Sequence, residues 1–243
     1  MAHTRTEAAF TRRELVVGIA VLFVLVLFIV PALQRAKQKS DRISCISNFK
    51  EIGLAYRIWA NDNGDRFPAF APLTNGGWSN LLSSSNAGTY VWTNYATMAN
   101  EMGQSPIIVV CPADVRQPAQ SFSNLANTNI SYFVGVGAND TYPQSILGGD
   151  RNLGLGTTPD PEYGYSPSNG RGNDVIINGP VCWSRKMHSR GIPAGAGNIL
   201  LGDGSSQQVS SMNLSQNWLK NAAAEKATLD NATNSPGLRL IFP

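Results

Sequence analysis

Leu15-Val-Val-Gly-Ile-Ala-Val-Leu-Phe-Val-Leu-Val-Leu-Phe-Ile-Val-Pro-Ala-Leu33 is a run of nineteen residues without a charge. As a helix rising about 1.5 Å per residue it reaches roughly 28 Å, close to the thickness of a bilayer core. A secretory signal has a shorter apolar core, about 7–15 residues, followed by a small-residue cleavage site. Here the run continues into Gln34-Arg35-Ala36-Lys37-Gln38-Lys39, so a retained membrane helix is expected. Arg5, Arg12 and Arg13 precede the run and Arg35, Lys37 and Lys39 follow it, so the positive-inside rule leaves its orientation open.

Downstream, Cys45, Phe49, Ile52, Tyr56 and Trp59 recur at spacings of four and three, which places them on one face of a helix. The membrane helix therefore continues as an amphipathic one, its stripe packed on a sheet or on other helices. It should stop near Asn61-Asp62-Asn63-Gly64, where left-handed caps are favoured. Pro31 removes one backbone donor on the way. The run Asn61–Asp65 departs from the calcium-loop spacing and lacks the distal Glu. No cofactor is expected, with calcium at this loop as the alternative.

The chain has 243 residues, 14% of them charged and 42% hydrophobic, which excludes both a disordered chain and a multi-span membrane protein. Its net charge of +3 is unevenly spread. Residues 1–40 hold six basic and two acidic residues, net +4, and the remaining 13 basic and 14 acidic residues leave the rest at −1. A basic stripe of the kind that tracks phosphates is missing, so no nucleic-acid partner is expected.

Residues 65–243 read as an exported α+β head in which an antiparallel sheet packs on the second half of the N-terminal helix. Ile107–Cys111, Ile130–Val134 and Asp174–Ile177 read as strands, and Asn198–Leu201 with Gln207–Val209 as a hairpin turning at Asp203-Gly204. Leu214–Ala227 reads as a helix with Trp218 and Leu219 inward, and Leu238–Phe242 as an edge strand. None of Cys45, Cys111 and Cys182 lies in a CxxC pair, so spacing gives no support to a zinc site. In an exported head one disulfide and one free thiol are expected, with Cys45 and Cys111 as the pair; three reduced buried cysteines are the alternative.

The residues Ala8-Ala9-Phe10-Thr11-Arg12-Arg13-Glu14-Leu15 resemble the processing site of type IV prepilins and type II secretion pseudopilins. The resemblance implies a leader at residues 1–9, cleavage after Ala9, and a mature chain starting at Phe10 with a methylated amine. It implies a membrane segment at 10–34 and an amphipathic continuation at 35–64. Glu14 is then the fifth mature residue, and Pro31 falls where many pilins carry a proline. Ala9 stands where the family usually has Gly, and Arg12 and Arg13 replace an apolar pair. A carboxylate at mid-bilayer costs about 2.5–3.5 kcal/mol, less near the edge, and an opposite charge lowers that cost. In the family the new α-amine of a neighbouring subunit, with an ordinary pKa of about 8, supplies it.

Cys111-Pro-Ala-Asp114, Ile130-Ser-Tyr132, Gly149-Asp-Arg-Asn152, Met187-His188 and Gly197–Gly204 are similar to a group of prepilin-like proteins of planctomycete and verrucomicrobial bacteria, marked by a C-terminal His followed by Asp-Gly. Together the resemblances imply a non-enzymatic pseudopilin, a structural subunit of a type II secretion or type IV pilus-like filament. Its partners would be other pilin-like subunits, a prepilin peptidase and inner-membrane assembly machinery. It would cross the bacterial inner membrane once, with its head in the periplasm or on an extracellular filament. The alternative is a membrane-tethered head that binds a glycan or protein through Trp78, Trp92, Tyr163 and Tyr165, or acts as an enzyme with His188 and Asp203 as a catalytic or metal pair and Asp150 with Arg151 as a substrate clamp. Structural roles are expected for Asp150, Arg151, Asn152, His188, Asp203 and Gly204, with the last pair in a type I′ turn.

Overall fold

The computed structural model describes residues 11–84, 86–189, 191–192, 194–221 and 238–243. The chain divides into two compact units, Met1–Ser40 and Asp41–Pro243, and helix α1 (Arg12–Asp62) contributes to both. In the first unit α1 is helical straight through Pro31 and every described side chain is exposed. Among the described residues α1 is the one helix long and apolar enough to cross a membrane.

In the second unit α1 buries Cys45, Phe49, Ile52, Tyr56 and Trp59, the five residues of the predicted stripe, together with Gly53, Ala55 and Ala60. It ends at Asp62. Gly64 and Asp65 turn left-handed at φ 70° and 57°, and the Asn63 amide donates to the Trp59 carbonyl at 2.8 Å. Two short helices follow, α2 (Ser79–Leu82) and α3 (Val91–Thr97).

The strands are β1 (Tyr132–Gly135), β2 (Ile146–Asp150), β3 (Leu153–Leu155), β4 (Asn173–Ile177), β5 (Val181–Trp183), β6 (Ala196–Leu201), β7 (Ser206–Ser210) and β8 (Leu238–Phe242). Six of them form an antiparallel sheet in the order β4-β8-β1-β2-β6-β7, and β3 pairs with β5. Period-two alternation sends successive side chains to opposite faces. Tyr132, Val134, Leu200 and Ile241 join one core with the α1 stripe and α3. Phe133, Ile199, Leu201, Leu240 and Phe242 join a second core with Trp183 of β5 and with Leu214 and Leu219. The sheet is thus covered on both faces.

Four expectations need correction. Ile107–Cys111 is not a strand: Pro106–Val109 forms a 3-10 turn with Ile107 exposed, because a short apolar run after a proline suits either form. Leu238–Phe242 is not an edge strand; β8 lies between β4 and β1. Helix α4 starts at Ser211, three residues early, with the Ser210 hydroxyl capping it, and continues as a π-helical stretch over Leu214–Trp218. Leu219 is buried and Trp218 partly so, while residues 222–227 lie outside those described. The hairpin turn is not type I′, since among the described residues only Asp65, Gln104 and Met187 are non-glycine residues with positive φ. Leu201 C=O accepts from Gly204 N–H at 2.9 Å and Gly204 takes φ 79°, the three-residue loop with a left-handed glycine.

That turn meets α1 at a glycine. A Cβ on Gly53 would lie 2.8 Å from the Gly204 carbonyl oxygen and 3.0 Å from its Cα, both backbone atoms that cannot swing aside. Gly53→Ala should therefore lower the unfolding free energy by about 1–3 kcal/mol, against a helix-propensity gain of about 0.8–1.0 kcal/mol. Denaturant unfolding of the detergent-solubilised chain, read by tryptophan fluorescence, checks this. Gly18→Ala, with open space around its Cβ, should show no loss.

Candidate functional site

Four side chains from distant parts of the sequence converge beneath α1. Cys45 comes from α1, Cys111 follows the Pro106–Val109 turn, Asp150 ends β2, and His188 sits in the turn Met187–Ser189. Cys45, Cys111 and Asp150 are completely buried and His188 is 3% exposed. Their donor atoms all lie within 4.8 Å of one another. Cys45 Sγ is 3.3 Å from Asp150 Oδ1, Cys111 Sγ is 3.2 Å from His188 Nε2, and His188 Nε2 is 3.7 Å from Asp150 Oδ2.

A surrounding layer holds these groups. Asn198 donates to Asp150 Oδ2 twice, from its backbone at 2.7 Å and its side chain at 3.0 Å. Tyr132 OH lies 3.4 Å from Cys45 Sγ, and Arg42 donates to the His188 carbonyl at 2.6 Å. Burial raises Asp150 to about 7, partly offset by the Asn198 bonds. Burial and then the Arg42 charge lower His188 to about 4, so the imidazole is neutral at pH 7 and its contact with Asp150 is not an ion pair. Burial also pushes both thiols up. Buried, hydrogen-bonded and oriented, the four groups offer two sulfurs, one imidazole nitrogen and one carboxylate oxygen at a common point.

The neighbours of Asp150 turn elsewhere. Arg151 Nε and Nη2 donate to Asp114 Oδ2 and Oδ1 at 2.7 and 2.8 Å, and the Tyr163 ring lies 3.4 Å from the guanidinium. This bidentate pair is 3% and 0% exposed. Burial alone would raise Asp114, but the Arg151 bonds and charge hold it below the usual carboxylate range. Asn152 donates to the Lys186 carbonyl at 3.1 Å and lies near those of Ser184 and Ala196. Asp150, Arg151 and Asn152 thus serve three different sets of partners.

Several site expectations change. His188 does not pair with Asp203, whose exposed carboxylate accepts from Ser205 N–H at 2.8 Å within the hairpin turn; its acidic neighbour is Asp150. Arg151 pairs with Asp114 rather than Asp150. Cys45 and Cys111 come together as expected, but as free thiols. Trp78 is fully buried with Nε1 donating to Asn94, and Trp92, Tyr163 and Tyr165 are only partly exposed, so the four do not make an exposed aromatic platform. Ala9 and Phe10 lie outside the described residues. Glu14 accepts from Thr11 N–H at 2.8 Å and Thr11 Oγ1 at 2.9 Å, while Thr11 Oγ1 accepts from Glu14 N–H at 3.3 Å, a reciprocal cap on α1. Arg42 escaped sequence reading, and Tyr132, Asn198 and Asp114 entered it only inside motifs with no partner assigned, because only the fold sets them around the cluster.

Comparison with protein-family models, with curated proteins and with solved structures returns no match to this chain.

Asp114→Asn should destabilise the chain by about 3–5 kcal/mol, since it leaves a buried guanidinium without its counter-charge. Asp114 is held low in the fold, so its contribution is complete above the unfolded value of about 3.9 and is lost as pH falls through the folded one. The difference between wild type and variant in urea unfolding should accordingly be full at pH 7 and shrink below about pH 4.

Proposed function

We propose that the chain is a pseudopilin, a structural subunit of a type II secretion or type IV pilus-like filament anchored in a bacterial inner membrane. The observation that carries this reading is the division of labour within α1. Its apolar run Leu15–Leu33 is exposed throughout, while its second half buries a stripe in its own head. A large apolar surface left uncovered in water needs another covering. A bilayer supplies it before assembly, and neighbouring helices supply it within a filament. Ile43, Leu54 and Ile58 extend exposed apolar side chains along the second half of α1, where further lateral contacts would form.

Glu14 has a use in the isolated helix, as the partner of Thr11, and a second use between subunits, as the acceptor of the Phe10 amine of a neighbour. The two compete for one carboxylate. Prepilin peptidase would create that amine by cutting after Ala9, and inner-membrane assembly machinery would then stack the subunits. On this reading the head is a packing module and not an enzyme.

Mass spectrometry of membrane-extracted protein should find Phe10 as a methylated N-terminus. Crosslinking in native membranes should show several-fold less oligomer for Glu14→Ala, with the thermal melt of the head unchanged. An N-terminus at Met1 or Ala2, or full oligomer yield in Glu14→Ala, contradicts the proposal and favours a tethered head.

A further inference from the structure

We propose that Cys45, Cys111, Asp150 and His188 form a closed tetrahedral site for a divalent transition metal of the zinc class. The geometry leads to it. With metal–sulfur bonds of about 2.3 Å and metal–nitrogen or –oxygen bonds of about 2.0–2.2 Å, the edges of a tetrahedron are roughly 3.3–3.8 Å long. The Cys45 Sγ–Asp150 Oδ1 contact of 3.3 Å falls at that size, the Cys111 Sγ–His188 Nε2 contact of 3.2 Å is just short of it, and the donor atoms of all four residues lie within 4.8 Å of one another. The donor types also agree: two sulfurs, one imidazole and one carboxylate suit zinc, whereas calcium and magnesium take oxygen.

The charge balance points the same way. A buried carboxylate is stabilised by a counter-charge, by a full set of hydrogen bonds or by taking up a proton, and a metal ion supplies the first. Among the described residues no Lys or Arg forms an ion pair with Asp150, since Arg151 is turned to Asp114. Asn198 donates twice to Oδ2, while among the described residues Oδ1 accepts only from the Cys45 thiol at 3.3 Å, whose proton a bound metal would displace. Such outer bonds orient ligating groups in metal sites, and Tyr132 stands in the same relation to Cys45. A Cys45–Cys111 disulfide would use both sulfurs and remove them from the donor set. With four protein donors no position is left open for a substrate, so the metal's role is to tie α1, β2 and two loops together. Its binding energy would add to the folding energy of the head. This inference is independent of the filament reading.

The test uses the full chain in detergent, reduced and stripped of metal with a chelator, then titrated with Co(II). Wild type should saturate at one equivalent, with the intense visible bands of tetrahedral cobalt and a thiolate-to-cobalt charge-transfer band, both abolished by excess zinc. Cys182→Ser should behave as wild type. Cys111→Ser and His188→Ala should lose the endpoint, and Asn198→Ala should keep the spectrum while weakening affinity by about 10–100-fold. A reduced wild type that gives no tetrahedral spectrum overturns the proposal. So does a chain isolated without reductant that carries a Cys45–Cys111 disulfide and no metal.

Discussion

The head is organised by the burial of one stripe of α1 against one face of the sheet. Cys45, Phe49, Ile52, Tyr56 and Trp59 are each at most 5% exposed, and the Phe49 ring packs at 4.3 Å from that of Tyr132 on β1. Each large side chain so buried contributes about 1.5–3 kcal/mol relative to exposure. The stripe also sets positions. It brings Gly53 onto the Gly204 turn and delivers Cys45 to the place where Cys111, Asp150 and His188 meet. Removing α1 from the head would uncover the core face of β1, β8 and β6 at once.

Around that apolar contact lies a set of buried polar side chains. Asp150, Arg151 and Asn152 are consecutive and all nearly or completely buried, yet each answers to a different segment. Arg151 reaches Asp114 after the Cys111 turn, Asn152 reaches the carbonyls around β5 and β6, and Asp150 faces α1. Arg116 extends the same pattern, donating to the carbonyls of Asn127, Ile130 and Pro243. A head with many loops and short strands has many backbone carbonyls to satisfy, and these side chains satisfy them where the ladder does not reach.

The helix was legible because its signal is periodic and long: a charge-free run and then a 3.6-residue stripe, ended by Asn and Gly. The hairpin of β6 and β7 was legible from its Asp-Gly turn. β2 was not, because the paired glycines of Ile146-Leu-Gly-Gly-Asp150 carry no strand signal; they are needed where Phe133 lies across from them, since a Cβ on Gly149 would come 2.5 Å from its ring. The pair β3–β5 was missed because three-residue strands carry too little alternation to detect. The cluster escaped because its members sit at 45, 111, 150 and 188, with no local spacing to mark them. Its residues were each singled out for other reasons; only the register Tyr132 opposite Asp150 and the path of α1 bring them together.

The central claim is that α1 from Cys45 to Ala60 is an integral part of the head and not a stalk leaning on it. Native-state hydrogen exchange on the full chain in detergent tests this most directly. The account predicts that the amides of Cys45–Ala60 exchange only through the same global opening that releases β1 and β8. Exchange of those helical amides at a clearly lower opening free energy, with the sheet still protected, would contradict it.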